Sequence, residues 1–308
     1  MARRSTLLPV ASALAGIALF SVMDAFMKRA SITVGAYNAV LWRNLAGSLL
    51  GVGPWLALGW RGGFAPGFWP DRRRLAVHLA RSAVVAGMAV LFFYGLVRTP
   101  MAVGMALSFI APLIALYLAA LFLGEPVTKR ALLASILALA GVFVIAAARS
   151  GEAGGDHHAA MLGLAAILVS AMLYAVNLVL QRHQAQLAGP VEIAFFQSLF
   201  VALVAGLAAP WLGSWPGGQA SPLVIAVVLG AATLAFVSLM LLSWAYARAE
   251  AHRLLPIEYS AFVWSALMGR LWFGEAVGMA TLAGVVLIVT GCVIGTGGGE
   301  AHTEQTAL

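Results

Sequence analysis

Two ionisable side chains, Asp24 and Lys28, stand four residues apart in a stretch of sequence that is otherwise apolar. On a helix this spacing puts both side chains on one face, where they can meet. Arg43 follows at a comparable depth in the next apolar stretch. An ion pair or triad among the three would neutralise their charges. Two roles remain open for them: a structural ion cluster, or a gate whose ion pairs break and form during a conformational cycle.

Two more ionisable residues, Arg81 and Glu258, lie inside apolar stretches. Arg81 either extends its long side chain to polar surroundings or contacts an anionic group of a ligand. Glu258 follows Pro256, whose ring removes a helical hydrogen bond and frees a carbonyl group. We expect Glu258 to be a protonatable coupling group or a contact for a cation, with solvation at a helix end as the alternative.

Polar and aromatic side chains supply a second set of candidates. Tyr174, Asn177 and Gln181 have helical spacing and form one stripe, which either bonds to another helix or lines a cavity. Pro112 could expose backbone to a cavity, with Ser108 one turn earlier. The predicted substrate-binding residues are Tyr94, Ser108, Phe109, Pro112, Tyr174, Asn177, Trp244, Glu258, Tyr259 and Trp264.

The elements that carry these residues must lie in lipid. The chain is 62% hydrophobic and 9% charged, whereas a soluble domain carries about 25% charged residues. Spans of about 20 apolar residues cross the hydrocarbon core. Ten are predicted, at 7–27, 36–58, 76–97, 101–123, 129–148, 160–181, 191–212, 222–247, 253–273 and 279–296. The chain is therefore predicted to be an all-α integral membrane protein.

One short phrase occurs twice, and each copy is centred on Gly-Glu. The phrase has identical residues at Leu121, Gly124, Glu125, Val127, Leu132, Leu137 and Gly141 and, 150 positions later, at Leu271, Gly274, Glu275, Val277, Leu282, Leu287 and Gly291. We call this spacing the repeat offset. Glycine permits a tight turn, and glutamate complements the positive end of the helix that follows it. We therefore assign a structural role to Gly124, Glu125, Gly274 and Glu275.

The duplication predicts two repeats of five spans each. The expected boundaries are 1–148 for the first repeat, 149–159 for a polar periplasmic linker, 160–296 for the second repeat and 297–308 for a cytoplasmic tail. An odd number of spans inverts the second repeat relative to the first, as in many transporters that work by alternating access.

The distribution of basic residues predicts the orientation. With both chain ends in the cytoplasm, the inner segments hold eleven Lys and Arg residues, and the outer ends hold only Lys28, Arg29, Arg98 and Arg149. This asymmetry follows the positive-inside rule. It also explains the net charge of +7 without a nucleic-acid partner.

Both halves resemble the EamA repeat of the drug/metabolite transporter superfamily, from about residue 8 to 296. The matching motifs are Tyr94-Gly-Leu, Pro112-Leu113, Gly124-Glu125 and Gly141-Val142, then Trp244-Ala-Tyr246, Pro256-Ile-Glu258, Gly274-Glu275 and Gly291. The second copy has Phe262 in place of Pro112, which moves the kink of span nine to Pro256 or removes it. The resemblance implies ten helices around a central cavity and export or uptake of small metabolites.

Other classes fit less well. The sequence lacks His-Glu-x-x-His and Gly-x-Ser-x-Gly motifs, and only one of its three aspartates lies in a span. No enzyme activity, cofactor or metal is therefore expected. We predict a bacterial inner-membrane transporter that exports a small metabolite such as an amino acid, as a monomer or homodimer in lipid. Uptake or exchange of a larger metabolite such as S-adenosylmethionine, lipid scrambling or flipping, and proton coupling remain open.

Overall fold

A computed structural model describes residues 7–65, 67–123, 129–152, 157–213, 221–246, 248 and 257–296. The described residues form eleven helices and no strand. The helices are α1 (Leu7–Val34), α2 (Ala36–Arg61), α3 (Arg72–Arg98), α4 (Met101–Ser108), α5 (Ala111–Leu123), α6 (Lys129–Glu152), α7 (His157–Ala185), α8 (Pro190–Leu212), α9 (Pro222–Tyr246), α10 (Ser260–Phe273) and α11 (Met279–Thr296).

The helices have the length and composition of a multi-pass membrane protein. Five are long and apolar enough to cross a bilayer, and three shorter apolar segments accompany them. The five are Leu7–Val34, Arg72–Arg98, His157–Gln181, Pro190–Leu212 and Pro222–Ala245. Helices suit lipid because each satisfies its backbone hydrogen bonds internally. The predicted all-α membrane class is confirmed, and the count of ten spans stays a prediction.

The predicted fourth span, 101–123, consists of two helices. Because Pro112 has no N–H, the helical ladder is interrupted, and Leu113 N–H donates to Ile110 O at 3.1 Å. The Phe109 carbonyl, which a continuous helix would engage, instead accepts from Cys292 Sγ at 3.1 Å. The break lies between α4 and α5, and it exposes backbone to a side chain of α11.

The second repeat breaks at the equivalent place, although Phe262 stands where the first has Pro112. Residues 257 and 258 are helical, Tyr259 is a turn, and α10 starts at Ser260. Tyr259 is the counterpart of Phe109 at the repeat offset. The kink was predicted at Pro256 or not at all, and the described chain instead turns at Tyr259; Pro256 itself lies outside the described residues.

Helices α6 and α11 occupy equivalent places in the two repeats and pack closely through small residues. A Cβ atom on Gly141 would lie 2.5 Å from the carbonyl oxygen of Gly284, and one on Gly291 would lie 2.5 Å from that of Ala134. These two contacts are the same contact with the repeats exchanged, because each position has its counterpart at the repeat offset. As the residue number rises on one helix it falls on the other, so the two helices are antiparallel.

The same exchange relates the pair α3–α7 to the pair α9–α1. Gly95 on α3 approaches the carbonyl oxygen of Gly163 on α7. Their counterparts, Ala245 on α9 and Ala13 on α1, pack together as buried residues. Small residues allow helices in lipid to approach closely. Two inverted repeats place equivalent helices antiparallel, as α6 and α11 are, and repeat each contact between the other helices.

Candidate functional site

Lys28 and Glu275 form an ion pair that joins the two repeats. Lys28 is 4% exposed, and its Nζ also donates to the carbonyl oxygen of Thr99 at 2.8 Å. The second carboxylate oxygen of Glu275 accepts from the backbone N–H of Met101, the first residue of α4, at 2.7 Å. We call these four residues the Lys28–Glu275 cluster. It ties α1, the start of α4 and the end of α10 together.

Two glycines shape the chain around Glu275. Gly274 ends α10 in the left-handed region with a φ of +67°, a conformation that glycine adopts without steric cost. A Cβ atom on Gly269 would lie 2.5 Å from Glu275 Oε2, so Gly269 leaves space for the carboxylate. The tight turn predicted at Gly274 is therefore present. Glu275 caps a helix, as predicted, but that helix is α4 of the other repeat rather than the one that follows it.

A pair or triad was predicted among Asp24, Lys28 and Arg43; the structure shows attraction between Asp24 and Arg43 and an ion pair of Lys28 with Glu275. Asp24 is 7% exposed and attracts Arg43 electrostatically. Arg43 also lies 3.8 Å from Met23 Sδ, and its Nε makes no hydrogen bond within the described part of the chain. Asp24 and Arg43 are a separate pair of opposite charges between α1 and α2.

Arg81 is the centre of a second buried polar group, formed by α3 and α7. Its Nε donates to Asn177 Oδ1 at 2.9 Å, its Nη1 donates to Gln184 Oε1, and its Nη2 lies 3.4 Å from Gln181 Oε1. Arg81 is 5% exposed. We call Arg81 and these three amide side chains the Arg81 network. The side chain bonds to α7 and does not extend to the surface, so the first of the two readings predicted for it is wrong.

A chain of hydrogen bonds runs from the Arg81 network toward α8. Gln184 Nε2 contacts His78 Nδ1, and His78 Nε2 lies 3.2 Å from Glu192 Oε1. Arg74 Nη1 lies 3.7 Å from the same carboxylate oxygen. His78 is 1% exposed and stacks on Phe196 with ring centroids 5.0 Å apart. Glu192 thus links α8 to α3 beside the network.

Part of this group was predicted from the sequence. The predicted stripe of Tyr174, Asn177 and Gln181 continues to Gln184, which is 1% exposed and was missed because span six was ended at 181. The helical recurrence of polar residues along α7 was the available signal. His78 was also missed, although it lies one turn before Arg81 on the same helix.

Tyr174 interacts electrostatically with both Arg81 and Glu258. The Tyr174 side chain therefore lies between the Arg81 network and the segment before α10. Glu258 is exposed there and also interacts with Tyr259. The structure brings the predicted coupling residue Glu258 near the predicted binding residues, beside residues 249–256, which lie outside the described part.

Phe109 of the first repeat and Tyr259 of the second contact each other. Their rings contact edge to face with centroids 5.2 Å apart, and both belong to an apolar core that includes Phe262 and Leu113. The Tyr259 side chain also bonds to Cys292, which is fully buried. Because the two positions are equivalent in the repeats, this contact lies on the axis that relates them.

Tyr94 and Trp244 are another equivalent pair, and each carries an arginine. The Arg98 guanidinium lies 3.6 Å from the centroid of Tyr94, and that of Arg248 lies 4.4 Å from the centroid of Trp244. Each arginine also donates to the carbonyl of its aromatic partner. Both arginines were missed as partners, although they too are counterparts at the repeat offset. Both are cation–π contacts. Arg98 is the last residue of α3, and Arg248 lies two residues after the end of α9.

The remaining predicted residues have mixed surroundings. Ser108 Oγ donates to Gly104 O within its own helix at 2.9 Å, and Pro112 is half-buried at the start of α5. Trp264 Nε1 and Ser260 Oγ, one turn apart on α10, are buried atoms with no hydrogen-bond partner among the described residues. Gly124 and Glu125 lie outside those residues. The described part contains no group of three or more His, Cys, Asp or Glu residues that could hold a metal ion.

Helices of two similar halves, packed antiparallel around buried charges, define a membrane protein built from inverted repeats. The EamA-like transporter family model matches the chain twice, at residues 7–147 and 161–296. The chain belongs to this family, as its resemblance to the drug/metabolite transporter superfamily predicted.

Relatives agree with the family, and a solved structure agrees with the fold. The pseudopaline exporter CntI of Pseudomonas aeruginosa is 26% identical over 275 residues, which cover 89% of this chain and 90% of the exporter. An uncharacterized transporter of Helicobacter pylori is 31% identical over 215 residues, or 68% of this chain and 70% of that protein. One crystal structure, 22% identical, aligns with a TM-score of 0.58 over 94% of this chain and 96% of its own, and therefore supports the fold.

Proposed function

We propose that the protein is a secondary transporter, and not an enzyme, that exports a small polar or amphipathic metabolite by alternating access. The observation that carries the proposal is the exchange symmetry of the helix contacts. When two halves pack as inverted copies, exchanging their conformations converts a state open to one side into a state open to the other. Ionisable residues buried between such halves are the expected means of binding and gating.

The proposed topology has ten spans in the bacterial inner membrane with both chain ends in the cytoplasm. The helices α4 and α5 together form span four. Residues 1–148 and 160–296 are the repeats, 149–159 join them in the periplasm, and 297–308 form a cytoplasmic tail. The positive-inside rule supports this orientation. Helix α6 runs to Glu152 and α7 starts at His157, so the linker includes helical ends.

In this orientation the Lys28–Glu275 cluster closes the periplasmic end. Opening that end requires the Glu275 carboxylate to leave both Lys28 and the first turn of α4. The Arg81 network, Tyr174 and Glu258 would then form the cytoplasmic side of the transport path. On α10, Trp264 Nε1 and Ser260 Oγ offer hydrogen bonds that a polar substrate could complete.

Export of a small metabolite is supported by the pseudopaline exporter, to which this chain is similar over most of its length. Amino acids are the first compounds to test, since the resemblance to the superfamily implies them as cargo. Half-buried aromatic residues, namely Tyr174, Trp264 and Tyr259, suit a substrate with an apolar part, because they offer large contact areas.

Flux through purified protein in proteoliposomes tests the proposal. Labelled amino acids, S-adenosylmethionine and nucleosides are loaded on one side, and saturable counterflow is measured. We expect saturable flux for at least one compound and none in protein-free vesicles. A folded, monodisperse protein that moves none of them would contradict the assignment. Cysteine labelling of residue 155 from the periplasm tests the topology separately.

A further inference from the structure

Arg81 is a buried cation whose hydrogen-bond partners among the described residues carry no charge. Its three hydrogen-bond acceptors are the amide oxygens of Asn177, Gln181 and Gln184. The ion pairs among the described residues involve Lys28 and Arg74, and neither these pairs nor the contact of His78 with Glu192 includes Arg81. A charge inside a membrane span is costly unless an opposite charge meets it. A buried cation without a charged partner is therefore a candidate for a functional role.

The guanidinium also has unused donors. Arginine presents five N–H groups in a planar fork, and three of them are engaged by the amides within the described part of the chain. The remaining two are one N–H on Nη1 and one on Nη2. Donors on two neighbouring guanidinium nitrogens are the groups from which a carboxylate accepts two parallel hydrogen bonds.

The surroundings hold the Arg81 fork in place without neutralising it. Gln184 donates from Nε2 to His78 Nδ1, so its oxygen is directed at Arg81. His78 must then carry its proton on Nε2, which faces Glu192. Glu192 thus fixes the amide through His78 while it also pairs with Arg74. A guanidinium held by neutral acceptors is pre-organised for an anion.

Arg81 lies more than two turns into α3, which begins at Arg72, and five residues inside the predicted span 76–97. At a rise of about 1.5 Å per residue, it is roughly 7 Å inside that span along the helix axis. Tyr174, which interacts electrostatically with Arg81 and with Glu258, lies on the side toward α10. An anion at the fork would therefore sit within the proposed transport path and not at the membrane surface.

We propose that Arg81 binds a carboxylate group of the transported molecule, so that the substrate class is a metabolite with a free carboxylate. The inference rests on the proposed transport function. A singly charged carboxylate matches the single positive charge and the two free N–H groups. A doubly charged phosphate would leave one negative charge uncompensated by the described residues around it.

Matched carboxylate and carboxamide probes test the inference in the full-length protein. Suitable pairs are L-phenylalanine with L-phenylalaninamide and phenylacetate with phenylacetamide, together with any compound that gives flux in the vesicle screen. Binding is followed by tryptophan fluorescence, and transport by counterflow. The variants are R81Q, which removes the charge, and R81K, which keeps the charge but loses the fork. R270Q is the matched control, because Arg270 is an exposed arginine in α10.

We expect wild-type protein and R270Q to bind a carboxylate at least tenfold more tightly than its carboxamide. R81Q should weaken carboxylate binding about 10- to 100-fold, the loss typical of a hydrogen-bonded charge, and should leave the carboxamide unchanged. R81K should bind the carboxylate with an affinity between those of the wild-type protein and R81Q. Size-exclusion profiles and melting midpoints verify that each variant is folded.

The outcomes separate this inference from the transport function. If wild-type protein transports a compound without a carboxylate and R81Q transports it equally well, the substrate class is wrong and the transport function stands. If R81Q and R270Q lose equal affinity for a carboxylate, Arg81 is not the residue that binds the carboxylate, and the inference is wrong. If folded wild-type protein transports none of the compounds, both proposals are overturned together.

Discussion

Lys28 on α1 and Arg81 on α3 are both buried cations, 4% and 5% exposed, in helices of membrane-spanning length. Lys28 meets the carboxylate of Glu275, which also binds the start of α4. Arg81 meets three neutral amides. One cation is neutralised across the repeat boundary, and the other is held in place with its charge available.

The difference separates a structural contact from a binding contact. A neutralised pair contributes to holding two halves in one arrangement, and removal of one partner leaves a costly charge. A cation surrounded by amides stabilises the resting protein little, and its charge becomes useful only when an anion arrives. Stability should therefore respond to the Lys28–Glu275 cluster and substrate affinity to the Arg81 network.

The largest effect on stability is expected from E275Q. The amide still accepts from Met101 N–H but no longer neutralises Lys28. Removing one partner of a buried ion pair costs about 3–5 kcal/mol, measured as the free energy of unfolding by detergent titration. The double variant K28M/E275Q should recover most of this loss because no charge remains. An equal loss in the single and double variants would show that the charge pair is not the cause.

A smaller loss is expected from Q184L, which removes the amide between Arg81 and His78. One donor and one acceptor are left buried without this partner, at a cost of about 1–3 kcal/mol. The orientation of the Arg81 fork should also relax and raise the KM for a transported carboxylate severalfold. Q186L is the matched control, since Gln186 is exposed. Equal effects from the two variants would contradict the role of Gln184.

R81Q should change stability least among the buried charges, by about 1 kcal/mol, because glutamine can still bond to the amides of α7. The comparison predicts that R81Q is more stable than E275Q while losing more substrate affinity. Thermal unfolding and binding are measured on the same preparations. A stability loss as large as that of E275Q would remove the distinction between the two cations.

E258Q should leave the free energy of unfolding within about 0.5 kcal/mol of wild type, because substitution of an exposed residue usually changes stability little. If Glu258 couples protons to transport, its substitution should abolish the pH dependence of flux while both cation sites remain intact. Flux at several pH values in proteoliposomes measures this. Unchanged flux with an unchanged pH profile would exclude a coupling role for Glu258.

The sequence predicted the helices and the family well, because both depend on patterns that are local or repeated. Apolar runs identified each helix to within a few residues of its observed end in most cases. The Gly-Glu duplication identified the repeats, and the same repeat offset relates Tyr94 to Trp244 and Phe109 to Tyr259. Helical spacing also indicated the stripe of α7 that holds Arg81.

The partners of the buried charges could not be predicted in the same way. Asp24 lies one turn from Lys28, so the local spacing favoured a pair between them. The true partner, Glu275, is 247 residues away and meets Lys28 only because the second repeat folds back against the first. Long-range pairing of this kind depends on the packing of whole helices, which spacing within one helix does not contain.

The edge-to-face contact of Phe109 with Tyr259 has a mechanical consequence. Points on a symmetry axis move least when two related halves exchange their conformations. These rings would therefore be the pivot of the motion. Spin labels near them should keep a constant separation through a turnover cycle. Labels at the periplasmic tips of α1 and α10, far from that pivot, should show the longest excursions.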